Sequence, residues 1–123
     1  MIRHAIDLIV GSAIILGVFA LFSAPHVRAG ECRQMVASHY GSESGNRTAS
    51  GSYFDGTQMV AAHKTLPFGT KLRVSYKGKS VTVTVADRGP FVRGRQLDLS
   101  TAAARKIGLT KVGVGRVTAC RVG

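Results

Sequence analysis

The chain is short of acid. Six Asp and Glu stand against 17 Lys and Arg, a formal net charge of +11 across 123 residues. Such a balance points to anionic polymers or surfaces as partners, with a basic surface kept only for solubility as the plainer alternative. Tryptophan is absent and there are only two cysteines. The Cys and His residues lack zinc-finger spacing and the few aromatics form no RNA-binding motif, so nucleic acid is not the expected partner. No two-histidine spacing or thiolate cluster supplies a metal site, and no cofactor is expected. Internal repeats, low-complexity tracts and a second domain are all missing.

What the chain does have begins with an apolar leader. Arg3 and His4 precede Leu8 to Phe22, apolar apart from Gly11, Ser12 and Gly17, and Val27-Arg28-Ala29 offers a small-residue exit. This is the pattern of a secretory signal peptide over residues 1–29, cut after Ala29. A retained membrane anchor is the alternative, because the run is only slightly short of a span. The mature domain, 30–123, is then one small unit with a thin core, periplasmic or secreted, and expected to be a monomer. Without Arg3, Arg28 and Asp7 it keeps 15 basic and 5 acidic residues, net +10.

Cys32 and Cys120 stand at the two ends of this domain. In an oxidising compartment the pair reads as one disulfide tying the first strand to the last. Lipidation of Cys32 is the alternative, but Arg28-Ala29-Gly30-Glu31 is a poor lipoprotein box.

Between the cysteines the pattern is that of short strands. Arg33 to Tyr40 reads as a strand of mixed pattern, and Gly41 to Gly56, rich in Gly, Ser, Asn and Thr, as a long functional loop. Thr57 to Ala62 reads as one short helical turn and Pro67-Phe68-Gly69 as a turn. Lys71 to Tyr76 and Ser80 to Val85 alternate with period two, with Lys77-Gly78-Lys79 as a tight hairpin. Val81, Val83 and Val85 form the core face and Thr82 and Thr84 the wetter one. Arg95 to Leu99 is a short strand, Ser100 an N-cap for a helix over Thr101 to Ile107, and Gly108 its stop. Val112 to Val122 supplies the last strand. Short strands with little helix make a small, mainly β barrel.

Four motifs occur in order: Thr48-Ala49-Ser50-Gly51, Ala61 to Thr70 (AAHKTLPFGT), Asp87-Arg88-Gly89-Pro90-Phe91 and Asp98-Leu99-Ser100. Together they resemble the double-psi β-barrel of the rare lipoprotein A family, over about Val36 to Val122. The resemblance implies a six-stranded double-psi β-barrel with one or two short helices. It also implies a bacterial septal or cell-envelope protein, in some members a lytic transglycosylase acting on peptidoglycan. The wider superfamily includes expansins, many of whose members work on polysaccharides in an open groove.

The same resemblance places Asp98, Asp87 and His63 in that groove. Asp98 sits between Leu97 and Leu99, which point away from it on a strand. A partly dry setting would keep it protonated as a general acid; capping of backbone amides is its bland alternative. Arg88 beside Asp87 would pair with it and hold it ionised, and a charged Asp87 would push the pKa of Asp98 up. The competing reading of Asp87 is a buried ion pair with Arg88 that fixes the loop. His63 is read as a hydrogen-bonding or proton-handling group, or as a satisfied polar side chain. Substrate contacts are expected from Tyr40, Thr48, Ser52, Tyr53, Arg88 and His39.

Two departures from the family pattern matter. Lytic members carry Glu in a Thr-Ala-Asn-Gly-Glu type of motif where this chain has Ser52. They carry Trp before Tyr-Gly where it has His39, which removes a stacking platform that Tyr53, Phe54 and Tyr40 would partly replace. The leading expectation is a transglycosylase that cleaves MurNAc-GlcNAc bonds to 1,6-anhydro products, the partner being peptidoglycan glycan strands. The alternatives are a non-catalytic or expansin-like wall-polysaccharide binder, and a basic secreted protein that holds other anionic envelope polymers by charge alone.

Overall fold

The computed structural model describes residues 27–123, so the leader expected over 1–29 lies outside the described residues except for its last three. Six strands close into a barrel: β1 (Cys32–Tyr40), β2 (Val60–His63), β3 (Lys71–Tyr76), β4 (Lys79–Asp87), β5 (Leu97–Ser100) and β6 (Gly115–Val122). Their order around the barrel is β1-β5-β2-β4-β3-β6. β1 runs parallel to β5 and β2 parallel to β4, and the remaining pairs are antiparallel. One helix, α1 (Thr101–Lys106), follows β5, and short 3-10 turns lie at Ser42–Ser44 and Leu109–Lys111.

The alternating strands make the core as their patterning requires. Val81, Val83 and Val85 of β4 are buried with Leu72 and Val74 of β3 and Val117 and Ala119 of β6, while Thr82 is exposed. Leu97, Leu99, Ile107 and Leu109 belong to the same cluster. The β3–β4 hairpin closes through Lys77 and Gly78, both at positive φ (47° and 84°), the pairing a right-twisted two-residue loop needs. Ser100 caps α1 by accepting from the Ala103 amide, and Gly108, at φ 79°, ends it in the left-handed conformation.

Three sequence expectations are corrected. The helical turn expected over Thr57 to Ala62 is instead β2, starting at Val60. This strand is paired on both edges, to β4 and β5, and covered on both faces: Ala61 packs into the barrel core and Ala62 against Tyr40 and Phe54. A strand buried on both sides has no polar–apolar alternation to read. The fifth strand begins at Leu97 rather than Arg95. The last begins at Gly115 rather than Val112, because Leu109–Lys111 coils into a 3-10 turn and Gly113 reverses the chain at φ 80°.

The disulfide between Cys32 and Cys120 joins β1 to β6 at directly paired positions, closing a loop of sequence separation 88.

Candidate active site

The two acids meet through a residue that carries no chemistry. Asp98 in β5 pairs with Ser38 in β1 on one side and with Ala62 in β2 on the other, and Ala62 pairs in turn with Asp87 in β4. Directly paired residues face the same side of a sheet, so Ser38, Asp98, Ala62 and Asp87 form one row. The register of β2 against β4 shifts between Ala61 and Ala62, which brings Asp87 rather than Ala86 opposite Ala62. Strict alternation from Val81, Val83 and Val85 would send Asp87 into the core; the bulge re-aims it outward. The Ala62 methyl stands between the two carboxylates, buried against Tyr40 and Phe54, and the strands of Asp98 and Asp87 lie two spacings apart, roughly 10 Å.

Asp98 is half-buried, and its Oδ1 accepts a hydrogen bond from the Ser38 hydroxyl at 3.0 Å. Burial pushes its pKa above the ordinary aspartate value. The Ser38 bond and the charges of His39 and Arg95 oppose that rise, and repulsion from Asp87 adds to it. Asp87 Oδ1 accepts from the amides of Ala49, 2.8 Å, and Arg88, 2.9 Å, and so clips the Gly41–Gly56 loop to the end of β4.

The Arg88 side chain does not pair with Asp87. Its Nη1 donates to the carbonyls of His63 and Leu66, at 3.1 and 2.8 Å, and its guanidinium lies 3.9 Å from the Phe68 ring centre. Two carbonyls and an aromatic face hold it in the loop, so neither ion-pair reading of Asp87 and Arg88 survives.

His63 is adjacent to Ala62, so alternation turns it away from the row of acids. Its Nδ1 accepts from the amides of Thr65 and Leu66, at 3.1 and 3.0 Å. Two donors on Nδ1 place the proton of the neutral ring on Nε2. Burial, then Arg88 and Lys64, hold its pKa below the ordinary value, so the ring is neutral. His39 likewise alternates away from Ser38 and Tyr40. Its Nδ1 lies 3.3 Å from Thr101 Oγ1, and that hydroxyl already donates to the Tyr40 carbonyl, so His39 Nδ1 is the donor.

Tyr40 sits on the same face as Ser38 and is 8 % exposed. Its ring packs on Phe54 at 5.0 Å between centres. Its hydroxyl is buried without a hydrogen-bond partner among the described residues. Burial, then the neighbouring charges of Asp87 and Asp98, hold the phenol protonated far above neutral pH. A weak hydrogen-bonding contact to the Asp87 carboxylate adds to that rise; a donor so poorly partnered is costly for a fold and useful to a site.

Thr48, Ser50 and Ser52 close a triangle of hydroxyls, with Oγ–Oγ distances of 2.9, 2.6 and 3.2 Å. Ser52 is thereby engaged within its own loop. Of the three aromatics expected to replace the stacking platform, Tyr40 and Phe54 are buried and only Tyr53, 57 % exposed, offers its ring. Sequence reasoning missed Ser38, whose role depends on the β1–β5 register. It also missed Phe68 and Phe91, 43 % and 81 % exposed, which flank the Asp87-Arg88-Gly89 turn. In the sequence Phe68 reads only as part of a turn, and Phe91 only as the end of the Asp87-Arg88-Gly89-Pro90-Phe91 motif. No group of three or more His, Cys, Asp or Glu able to hold a metal forms among the described residues.

The sequence and the fold have counterparts in known proteins. The lytic transglycolase family matches residues 32–119. The chain is 51 % identical over 85 residues to a probable endolytic peptidoglycan transglycosylase RlpA of Synechocystis, covering 67 % of this chain and 26 % of that protein. It is 50 % identical over 85 residues to the endolytic peptidoglycan transglycosylase RlpA of Pseudomonas aeruginosa, covering 67 % and 25 %. The chain therefore spans about a quarter of the length of these curated relatives. Among solved structures it is similar to a Streptomyces papain inhibitor, with TM-score 0.66 and 25 % identity, covering 80 % of this chain and 100 % of that one. It is also similar to an expansin of Clavibacter michiganensis, with TM-score 0.61 and 26 % identity, covering 75 % and 50 %.

Proposed function

The chain belongs to the lytic transglycolase family of double-psi β-barrels, and from that membership we propose that it acts on peptidoglycan in the bacterial cell envelope as a lytic transglycosylase. The observation that carries the reading is the row Ser38–Asp98–Ala62–Asp87, with a half-buried acid whose pKa is raised. In this reading a glycan strand lies in a trough along the row, with a MurNAc-GlcNAc bond beside Asp98. Asp98, protonated, donates to the glycosidic oxygen as the C1–O bond breaks. The Asp98 carboxylate then takes the proton of the same sugar's 6-hydroxyl as that oxygen attacks C1, closing the 1,6-anhydro ring. The acid is regenerated and no water is consumed. One carboxyl group completes this cycle, unlike the two-carboxylate scheme of hydrolytic glycosidases.

Asp87 acts as the second carboxylate, facing the positive charge that develops at C1. His63 and Arg88 serve as positioning residues: His63 fixes the turn after β2, and Arg88 pins that turn to the end of β4. Tyr53, with Phe68 and Phe91, supplies the exposed aromatic surface for sugar rings. The domain over 30–123 works as an exported monomer, which fits a disulfide between Cys32 and Cys120.

A second reading, a glycan binder without cleavage, is favoured by Ser52 alone. Its hydroxyl, locked in the Thr48–Ser50 triangle, offers no carboxyl group to the trough. Incubation of the purified protein with peptidoglycan, with and without stem peptides, separates the two readings. Anhydro-muropeptides detected by mass spectrometry and absent with Asp98→Ala support cleavage. Co-sedimentation with insoluble peptidoglycan at about 150 mM salt, where the Debye length is about 8 Å, without product supports the binder.

A further inference from the structure

At the end of the barrel remote from the acids lies a cavity of about 190 Å³ lined by residues from two separate elements. Lys77 and Lys79 reach it from the β3–β4 hairpin, and Lys111 from the 3-10 turn after α1. β4 runs nine residues from Lys79 to Asp87, so roughly 26 Å of strand separates this cavity from the trough. The wall is apolar: Tyr76, Ile107 and Val112.

The local backbone builds this arrangement. The two positive-φ residues of the hairpin set Lys77 and Lys79 on either side of a tight loop, and Tyr76 pairs directly with Lys79. Gly115 leaves room for the Tyr76 ring: a Cβ there would stand 3.2 Å from Tyr76 Cε1 and 3.0 Å from Leu109 Cδ1. Gly108 turns the chain out of α1 so that Lys111 returns to the rim. Lys77 Nζ sits 5.4 Å from the Tyr76 ring centre. None of the acids at Glu31, Glu43, Asp55, Asp87 or Asp98 lines the cavity. The ion pair found among the described residues, Arg33 with Glu31, is elsewhere.

We propose that this cavity binds a phosphate ester carried on a short polyol or a sugar. Three lysines lining one cavity match a compact anion of more than one charge. Lysine holds a tetrahedral phosphate as a point charge with rotatable donors; the arginine fork, which grips carboxylate and phosphate alike, does not line this cavity. The Tyr76, Ile107 and Val112 wall takes the carbon skeleton next to the phosphate. The site does not depend on the trough's cleaving anything; it gives an envelope protein a second, chemically distinct hold on a phosphate-bearing polymer.

The test is an amide NMR titration of the purified protein with glycerol 3-phosphate, against sodium chloride at matched ionic strength and against acetate. Saturable shifts confined to residues 76–79 and 107–112, absent with both controls, are expected. The Lys79→Ser/Lys111→Ser variant should weaken binding at least tenfold, and Val112→Asp, which leaves all three lysines, should weaken it too. Non-saturating shifts spread over the basic residues overturn the proposal, as do equal shifts with acetate. Phosphatidylglycerol vesicles form a separate arm: vesicle binding that needs these lysines, without binding of glycerol 3-phosphate, makes the face a membrane contact and also overturns it.

Discussion

Tyr40 exchanges one role for another once its surroundings are known. As a sequence residue it is an aromatic beside a glycine, a candidate for stacking on sugar. In the fold its ring is spent on Phe54, and its hydroxyl is left without a close partner, in weak contact with Asp87. Tyr40→Phe keeps the ring and removes the orphan, so it is expected to leave stability unchanged or raise it by up to about 1 kcal/mol, measured by urea unfolding, while glycan binding weakens. Loss of stability would mean that the hydroxyl bonds a carboxylate in solution. The two titrating groups slope in opposite directions. Burial keeps the proton on Asp98 at pH values where the unfolded chain has released it, so its contribution falls as pH rises through that interval. Asp98→Asn is therefore expected to be more stable than the parent at pH 7, with the difference shrinking toward pH 4. His63 behaves inversely: the fold holds the ring neutral, so stability is lost as pH falls through the unfolded histidine value, about 6.5. His63→Ala strips the acceptor from the Thr65 and Leu66 amides, and a loss of about 1–2 kcal/mol is expected.

At the level of elements, legibility followed locality. The β3–β4 hairpin, the Ser100 cap and the Val81–Val83–Val85 face were readable because each signal lies within a few residues of its consequence. β2 was not, because Val60-Ala61-Ala62-His63 is covered on both faces and needs small side chains rather than alternating ones. That strand is the hinge of the site: the shift at Ala61 and Ala62 turns Asp87 outward, and Ala62 links the two acids while its methyl supports Tyr40 and Phe54. Ala62→Leu presses on Tyr40 and Phe54 and displaces them between the two acids. Overpacking of this kind is expected to lower stability by about 1–3 kcal/mol and to abolish retention on insoluble peptidoglycan. Retention at parental strength would move the glycan off this face. The Thr48–Ser52 loop was likewise readable as a loop, but its clip to Asp87 depends on a contact 38 residues apart.

Taken as a whole, the molecule is a small barrel tied end to end. The disulfide between Cys32 and Cys120 closes nearly all of the folded chain. In the chain-entropy picture a loop of that length stabilises by about 4–5 kcal/mol. Cys32→Ser/Cys120→Ser is expected to unfold at markedly lower urea concentration, with a smaller loss if the reduced chain retains structure. The order of four motifs made the barrel and its family legible without coordinates, because those motifs mark turns and strand ends that the topology requires. The pairing of the two acids was only half legible. Asp87 and Asp98 were visible as residues, but the register that aligns them through Ala62, and the serine that bonds Asp98, belong to strands distant in sequence. The central claim is that Asp98, unaided by a carboxyl group at position 52, protonates a glycosidic bond of peptidoglycan. Quantifying 1,6-anhydro ends released from denuded glycan strands tests it most directly. The account predicts anhydro product from the native protein and a loss of about 100-fold or more in Asp98→Asn. Equal product from both proteins, or no product from either while the glycan is still bound, would contradict it.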